Sequence, residues 1–204
     1  MILTGSKIIS EYKSGNIQID PFDARMVNPN SYNYRLADTI YEITDNVLDT
    51  KKEAQIRKII IPKEGYCLQP GVLYLGSTYE QIGSHIYSMQ LIGRSSIGRL
   101  GLYLQITAPL GHVGTFHNWT LELKVVQPLI VYPKMKIGQV SFWCVYGENR
   151  TPYEGKYWKY SEPHISEFYK ELEISTNSAD IGCDWALNTQ KNDTVVNRKV
   201  LIDK

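Results

Sequence analysis

Cysteine is scarce in this chain. Three residues, Cys67, Cys144 and Cys183, are odd in number and widely scattered over 204 positions. That argues against a disulfide framework and suits a reducing compartment. No Cys-x-x-Cys pair occurs, and none of the four histidines, His85, His112, His117 and His164, begins a His-x-Glu element. The usual ligand sets of zinc hydrolases are therefore missing, and the histidines read as loop or surface residues. Neither sign of charge dominates, with 22 basic against 21 acidic side chains. No general pull toward nucleic acid or an anionic membrane follows, so an anionic ligand needs a local cluster. No apolar run reaches the length of a membrane span, and the opening "MILTGSKIIS" is too short in apolar residues for a secretory signal. The chain reads as soluble and cytosolic.

Tyrosine, by contrast, is abundant at 15 residues, many in alternating runs such as "SYNYRL" and "VLYLGSTY". Tyrosine suits half-buried pleated surfaces, which points to a mostly β chain. Short apolar runs punctuated by Gly and Pro, as in "CLQPGVLYLG" and "VYPKMKIGQVSF", argue for a barrel or sandwich. Near the start, "TGSKIISEYKSG" predicts a short helix with Thr4 as its N-cap and Gly15 as its stop. "PHISEFYKELEI" places Ile165, Phe168, Tyr169 and Leu172 at helical spacing, predicting a second helix late in the chain. The polar residues after it read as an appended tail.

Two features carry candidate chemistry. The first is "GRSSIGRLG", read as a glycine-rich turn between strands. It lacks the lysine and hydroxyl of a P-loop, and "GRSSIG" is not the G-x-S-x-G elbow of a serine hydrolase. Its glycines, serines and two arginines nevertheless suit an anion: hydroxyls donate hydrogen bonds and guanidiniums pair bidentately with phosphate oxygens. The alternative is a bulged turn with solvated arginines. The second is Glu122 in "WTLELK". Alternation puts Thr120, Glu122 and Lys124 on one strand face and Leu121 and Leu123 on the other. That polar face either meets solvent or covers a pocket, where a partly desolvated carboxylate could carry protons near neutral pH. Cys144, in the apolar run "SFWCVYG", reads as a core cysteine.

Taken in order, "MILTGSKI", "IDPFDARMVNPNSYNYRL", "LQPGVLYLGSTYEQI", "GRSSIGRLGLYLQITA", "TLEL", "YPKMKIGQVSF" and "GKY" resemble the dCTP deaminases, the deaminase branch of the trimeric dUTPase superfamily. The likeness runs from Met1 to about Ser166. It implies a distorted jelly-roll β-barrel over residues 1–166, with short helices near both ends of the chain; the helix and polar C-terminal extension over 167–204 lie beyond the likeness. It also implies a homotrimer with sites between subunits and zinc-independent conversion of dCTP to dUTP and ammonia. Magnesium would arrive on the triphosphate, and dTTP is a further nucleotide such a site could take. Carried over residue by residue, Glu122 matches the catalytic glutamate, Ser95 and Arg99 match residues that orient water and stabilise charge, and Ala108 matches a water-holding carbonyl. Arg94 and Ser96 fall where the family grips the triphosphate. Gly98, Gln105 and Thr107 fall within the substrate site. Lys156 and Tyr157 match the segment that closes over the nucleotide.

The pattern breaks in three places. His112 stands where the family has a loop aspartate, and His117 stands where a glycine precedes the glutamate strand. Tyr160 stands near the place of a glutamine. A histidine at 112 could reach a sugar hydroxyl but supplies no carboxylate. This weakens the alternative of a bifunctional enzyme that continues to dUMP and pyrophosphate more than it weakens deamination. A non-catalytic nucleotide-binding trimer is the remaining alternative.

Overall fold

A computed structural model of the chain describes residues 1–104, 107–147, 160 and 162–177. Helix α1 (Gly5–Lys13) begins where the Thr4 side chain accepts from the Lys7 N–H, and the chain turns out of it at Gly15, whose φ of +80° lies in the left-handed region that glycine tolerates. α1 buries Ile8 and Glu11, and the Glu11 carboxylate is met by Lys7 and Asn16. The strands that follow are β1 (Ile17–Asp20), β2 (Tyr32–Arg35), β3 (Thr39–Ile43), β4 (Ile56–Ile60), β5 (Tyr66–Leu68), β6 (Tyr74–Ser84) and β7 (Tyr87–Gly93). A single helical turn, α2 (Ser95–Gly98), leads to β8 (Leu102–Tyr103), β9 (Leu110–Gly111), β10 (Phe116–Val125), β11 (Leu129–Val131) and β12 (Lys136–Cys144). α3 spans Phe168–Asn177.

The fold is mostly β, as its composition predicts. One sheet runs β4-β3-β6-β10-β8 with β1 also on β6, a second runs β2-β12-β7-β9, and β5 pairs β11. Between them lies a core of Leu36, Ile40, Leu91, Leu121, Leu123, Val140 and Phe142, all nearly sealed from solvent. The tyrosines depart from half-burial. Tyr32 and Tyr34 of β2 are fully buried together with Asn33 between them, and β6 is buried over most of its length on both faces. A central strand covered on both sides loses the alternation that exposed strands show.

β6 carries an irregularity that sets the register of β10. Opposite Trp119 it inserts Thr78, Tyr79 and Glu80, so that His117 pairs Ile82 while Thr120 pairs Ser77. The buried Thr78 hydroxyl donates to the Glu80 carbonyl at 2.7 Å and accepts from the Trp119 N–H at 2.8 Å. The Asn118 amide donates to the Thr78 and Tyr79 carbonyls. The insertion turns Glu80 inward, where Arg35 of β2 meets it through Nε at 2.6 Å and through its backbone N–H at 2.8 Å. Glu80 is completely buried, so deleting Arg35 leaves a charge without its partner and costs about 3–5 kcal/mol.

One local expectation is refined and three need correction. "GRSSIG", read as a glycine-rich turn, is specifically a single helical turn, with Ile97 buried. The late helix starts at Phe168, so Ile165 precedes it, and Phe168 is exposed. Cys144 is exposed, not core: it ends β12 beside exposed Trp143, where the second layer no longer covers the strand. His117, read as a loop or surface residue, is buried in β10.

Candidate active site

The strand face read from "TLEL" is realised. In β10, Leu121 and Leu123 are buried in the core, while Thr120 and Glu122 point to the outer side of the sheet and are partly covered. Cross-strand pairing extends this face into a row: Lys58 of β4 opposes Tyr41 of β3, Tyr41 opposes Leu75 of β6, and Leu75 opposes Glu122. Burial alone pushes the Glu122 carboxyl above its ordinary range. Neither a salt bridge nor a hydrogen bond to a described residue holds its charge. A carboxyl so placed is suited to accept and return protons.

α2 carries the anion cradle. Ser95, Ser96, Gly98 and Arg99 are exposed, and none of their side chains bonds a described residue. Arg94 is partly covered, with Nη1 3.4 Å from the Lys136 carbonyl. Thr107 and Ala108 are exposed and reach the same end of the second sheet: Pro109 accepts from the Leu91 N–H at 2.9 Å, which sets Ala108 beside the end of β7 from which α2 springs. β8 then joins α2 to the edge of β10, with Tyr103 opposite Lys124 and Leu102 opposite Val125. The structure thus gathers Arg94, Ser95, Ser96, Gly98, Arg99, Thr107 and Ala108 at one end, and ties that end to the strand of Glu122. No hydrogen bond or ion pair joins α2 to Glu122 among the described residues.

The histidines of the departures have separate fates. His112 is exposed, in the turn between β9 and β10, where its carbonyl accepts from the Thr115 hydroxyl at 2.8 Å. His117 stacks against Trp119 with ring centres 4.3 Å apart, and burial lowers its pKa, so it is a packed neutral ring. Tyr160 stacks on His164 at 3.5 Å and its hydroxyl lies 3.1 Å from Glu167. Gln105, Lys156 and Tyr157 lie outside the described residues.

Sequence reasoning missed the cover of this face. Residues 162–167 cross the outer side of the first sheet. Glu162 accepts from the Tyr41 hydroxyl at 2.7 Å and from Lys58 Nζ at 3.0 Å, while the His164 N–H donates to the Thr120 hydroxyl at 3.2 Å. A cleft of about 460 Å³ opens here, lined among others by Tyr41, Ile56, Tyr160, Glu162 and His164; Glu122 and α2 do not line it. Only Thr120 was visible beforehand, through the alternation around Glu122. Tyr41, Lys58 and Glu162 are far apart in the chain and carry no local signal.

Comparison with known proteins gives the family. Residues 2–145 match a family model described as dCTP deaminase-like. A protein of Hathewaya histolytica named "dCTP deaminase, dUMP-forming" is 42% identical over 173 residues, covering 85% of this chain and 100% of its own. A second of that name, from Leptospira biflexa, is 43% identical over 85% of this chain and 99% of its own. One from Rhodopirellula baltica, named "dCTP deaminase", is 39% identical over 93% of this chain and 96% of its own. The crystal structure of 2′-deoxycytidine 5′-triphosphate deaminase from Agrobacterium tumefaciens superposes with a TM-score of 0.56 at 18% identity, over 69% of this chain and 47% of that one, a likeness of fold. With the family model spanning residues 2–145 and relatives matched over nearly their whole length, this chain belongs to the dCTP deaminase-like family.

Proposed function

We propose that the chain is a deaminase that hydrolyses the C4–N bond of dCTP with Glu122 as general base and without zinc. The observation that carries this reading is a half-buried carboxyl, unpaired among the described residues and with a raised pKa, on a strand tied through β8 to the Arg/Ser turn. Glu122 takes a proton from water as its oxygen bonds to C4, and passes that proton to N3. The hydroxyl proton of the tetrahedral intermediate then moves through Glu122 to the exocyclic amine. The C4–N bond breaks, ammonia leaves, and the uracil carbonyl remains. Ser95, Arg99 and the Ala108 carbonyl orient the water and stabilise the charge that develops, while Arg94 and Ser96 hold the magnesium-bound triphosphate of the substrate. One such base contributes about 10²–10⁴-fold, and positioning supplies much of the rest.

The site is completed between subunits of a homotrimer of jelly-roll barrels. Ser95, Ser96 and Arg99 face solvent without side-chain partners among the described residues, and around them Ile92, Leu100, Tyr103 and Val126 expose 37%, 50%, 50% and 62% of their surface. Apolar side chains grouped around a polar cluster are what a subunit interface covers.

Two readings of the final product follow. The names of the relatives from Hathewaya and Leptospira favour a second hydrolysis, with dUMP and pyrophosphate released. His112 in the place of a loop carboxylate favours stopping at dUTP. Incubation with dCTP and magnesium, with nucleotides resolved by chromatography beside an ammonia assay, separates the two. Ammonia with dUTP or with dUMP supports the deaminase. Intact dCTP contradicts it.

A further inference from the structure

The segment over the Glu122 face is anchored at two points that bracket Leu75. At one, Glu162 bridges Tyr41 and Lys58, the two outer members of the row that ends in Glu122. At the other, the His164 N–H binds Thr120, the neighbour of Glu122 on the same strand face. Between these anchors Leu75 is only 6% exposed, although it shares the outer face with Glu122. Internal ties stiffen the segment. The Tyr160 ring lies parallel to His164, and the Glu167 carboxylate gathers the Tyr160 hydroxyl, His164 Nε2 and Lys170 Nζ. Pro163 and Glu167 are buried in the contact.

We propose that Glu162 is a positioning residue for Glu122. By seating residues 162–167 across the row Lys58–Tyr41–Leu75–Glu122, it keeps water from the Leu75 side of the catalytic carboxyl. The inference rests on the reading of Glu122 as the base. It adds that the environment of this base is set by a bridge two strands away and by Thr120. Among the described residues, the charged and titratable groups facing this region are Lys124 from β10, Tyr103 from β8, Tyr41 from β3, Glu53 ahead of β4, Lys58 from β4, Tyr160, and Glu162 and His164 from the covering segment. Burial holds the Tyr41 hydroxyl in its protonated form, with its pKa pushed up to about 12, so it donates to Glu162 throughout the working pH range.

The test titrates the Glu122 carboxyl by carbon NMR in the full chain labelled at glutamate, with Glu122→Gln identifying the signal. The variants are Glu162→Ala, Glu162→Gln, Tyr41→Phe and Thr120→Val, each first shown to be folded by its thermal transition. The expected result is a midpoint that falls toward the ordinary glutamate value in Glu162→Ala and in Thr120→Val. Smaller falls are expected in Glu162→Gln and Tyr41→Phe, which keep part of the bridge. With dCTP, the same variants lose kcat more than they raise KM, and the acid limb of the rate profile moves down with the NMR midpoint. Because Thr120→Val changes no charge, its shift separates exclusion of water from a field effect of the Glu162 carboxylate. A midpoint unmoved in Thr120→Val, or moved equally by Glu162→Gln and Glu162→Ala, overturns the proposal. The titration needs no turnover. A chain that shows these shifts but leaves dCTP intact therefore refutes the deaminase reading and not the positioning role.

Discussion

Burial opposes the ionised form of Glu122, because part of its hydration is lost and no cation among the described residues replaces it. The sign of the linkage is clear: a carboxyl whose folded pKa lies above its unfolded value adds stability at low pH and loses it as pH rises through the folded value. Glu122→Gln is therefore expected to raise Tm by a few degrees at pH 7–8 and to leave it unchanged well below the carboxyl's range, which calorimetry at two pH values checks. The same group must be ionised to act as base, so kcat/KM for dCTP should fall on the acid side at a midpoint above that of an ordinary glutamate. A rate profile flat down to the usual carboxylate range contradicts this. The face on which Glu122 stands was legible from alternation in "WTLELK", since a period of two fixes sides whatever the partner strands are. Its degree of burial was not legible, because that depends on Glu162 and His164, some forty residues onward.

At the scale of elements, the register of β10 depends on the insertion in β6. Thr78→Val keeps the shape of the side chain but strips the Trp119 N–H and the Glu80 carbonyl of their shared hydroxyl. Leaving buried polar groups unpaired in this way lowers stability by about 1–3 kcal/mol, measurable by denaturant unfolding. Because Glu122 lies beyond the insertion, this variant also loses activity in excess of its loss of folded protein. The covering segment has its own pH dependence. Lys170, with His164 and Tyr160, draws the Glu167 carboxyl down to about 2. A depressed carboxyl stabilises above its unfolded value and loses that contribution as pH falls toward its folded value. Protease sensitivity around residues 160–170 should accordingly rise between about pH 4.5 and pH 2. α1 was readable because its signals, Thr4 and Gly15, are local. The β6 insertion was not, since nothing within "STYEQIG" announces that Asn118 and Trp119 will stitch it.

For the whole molecule, the proposed trimer would make assembly a condition of activity, since the Ser95, Ser96 and Arg99 side chains meet no partner among the described residues. The trimer reading predicts that light scattering gives a mass three times that of the 23.4 kDa chain. It also predicts that a charge at Val126 or Leu100, as in Val126→Asp, yields folded monomers without turnover. An active monomer contradicts the reading. The mostly β class was legible from short alternating runs and frequent Gly/Pro breaks. The exposed apolar group of Ile92, Leu100, Tyr103 and Val126 was not, because strand patterns do not say which apolar side chains the folded chain leaves uncovered.

The central claim, that Glu122 is the base of a dCTP deaminase, is tested most directly by ammonia release from dCTP in the wild-type chain and in Glu122→Gln, with nucleotide binding measured in both. The account predicts one ammonia for each dCTP consumed by the wild type. For the variant it predicts a loss of about 10²–10⁴-fold or more, with binding of dCTP retained. Comparable turnover in the variant, or dCTP left intact by the wild type, contradicts it.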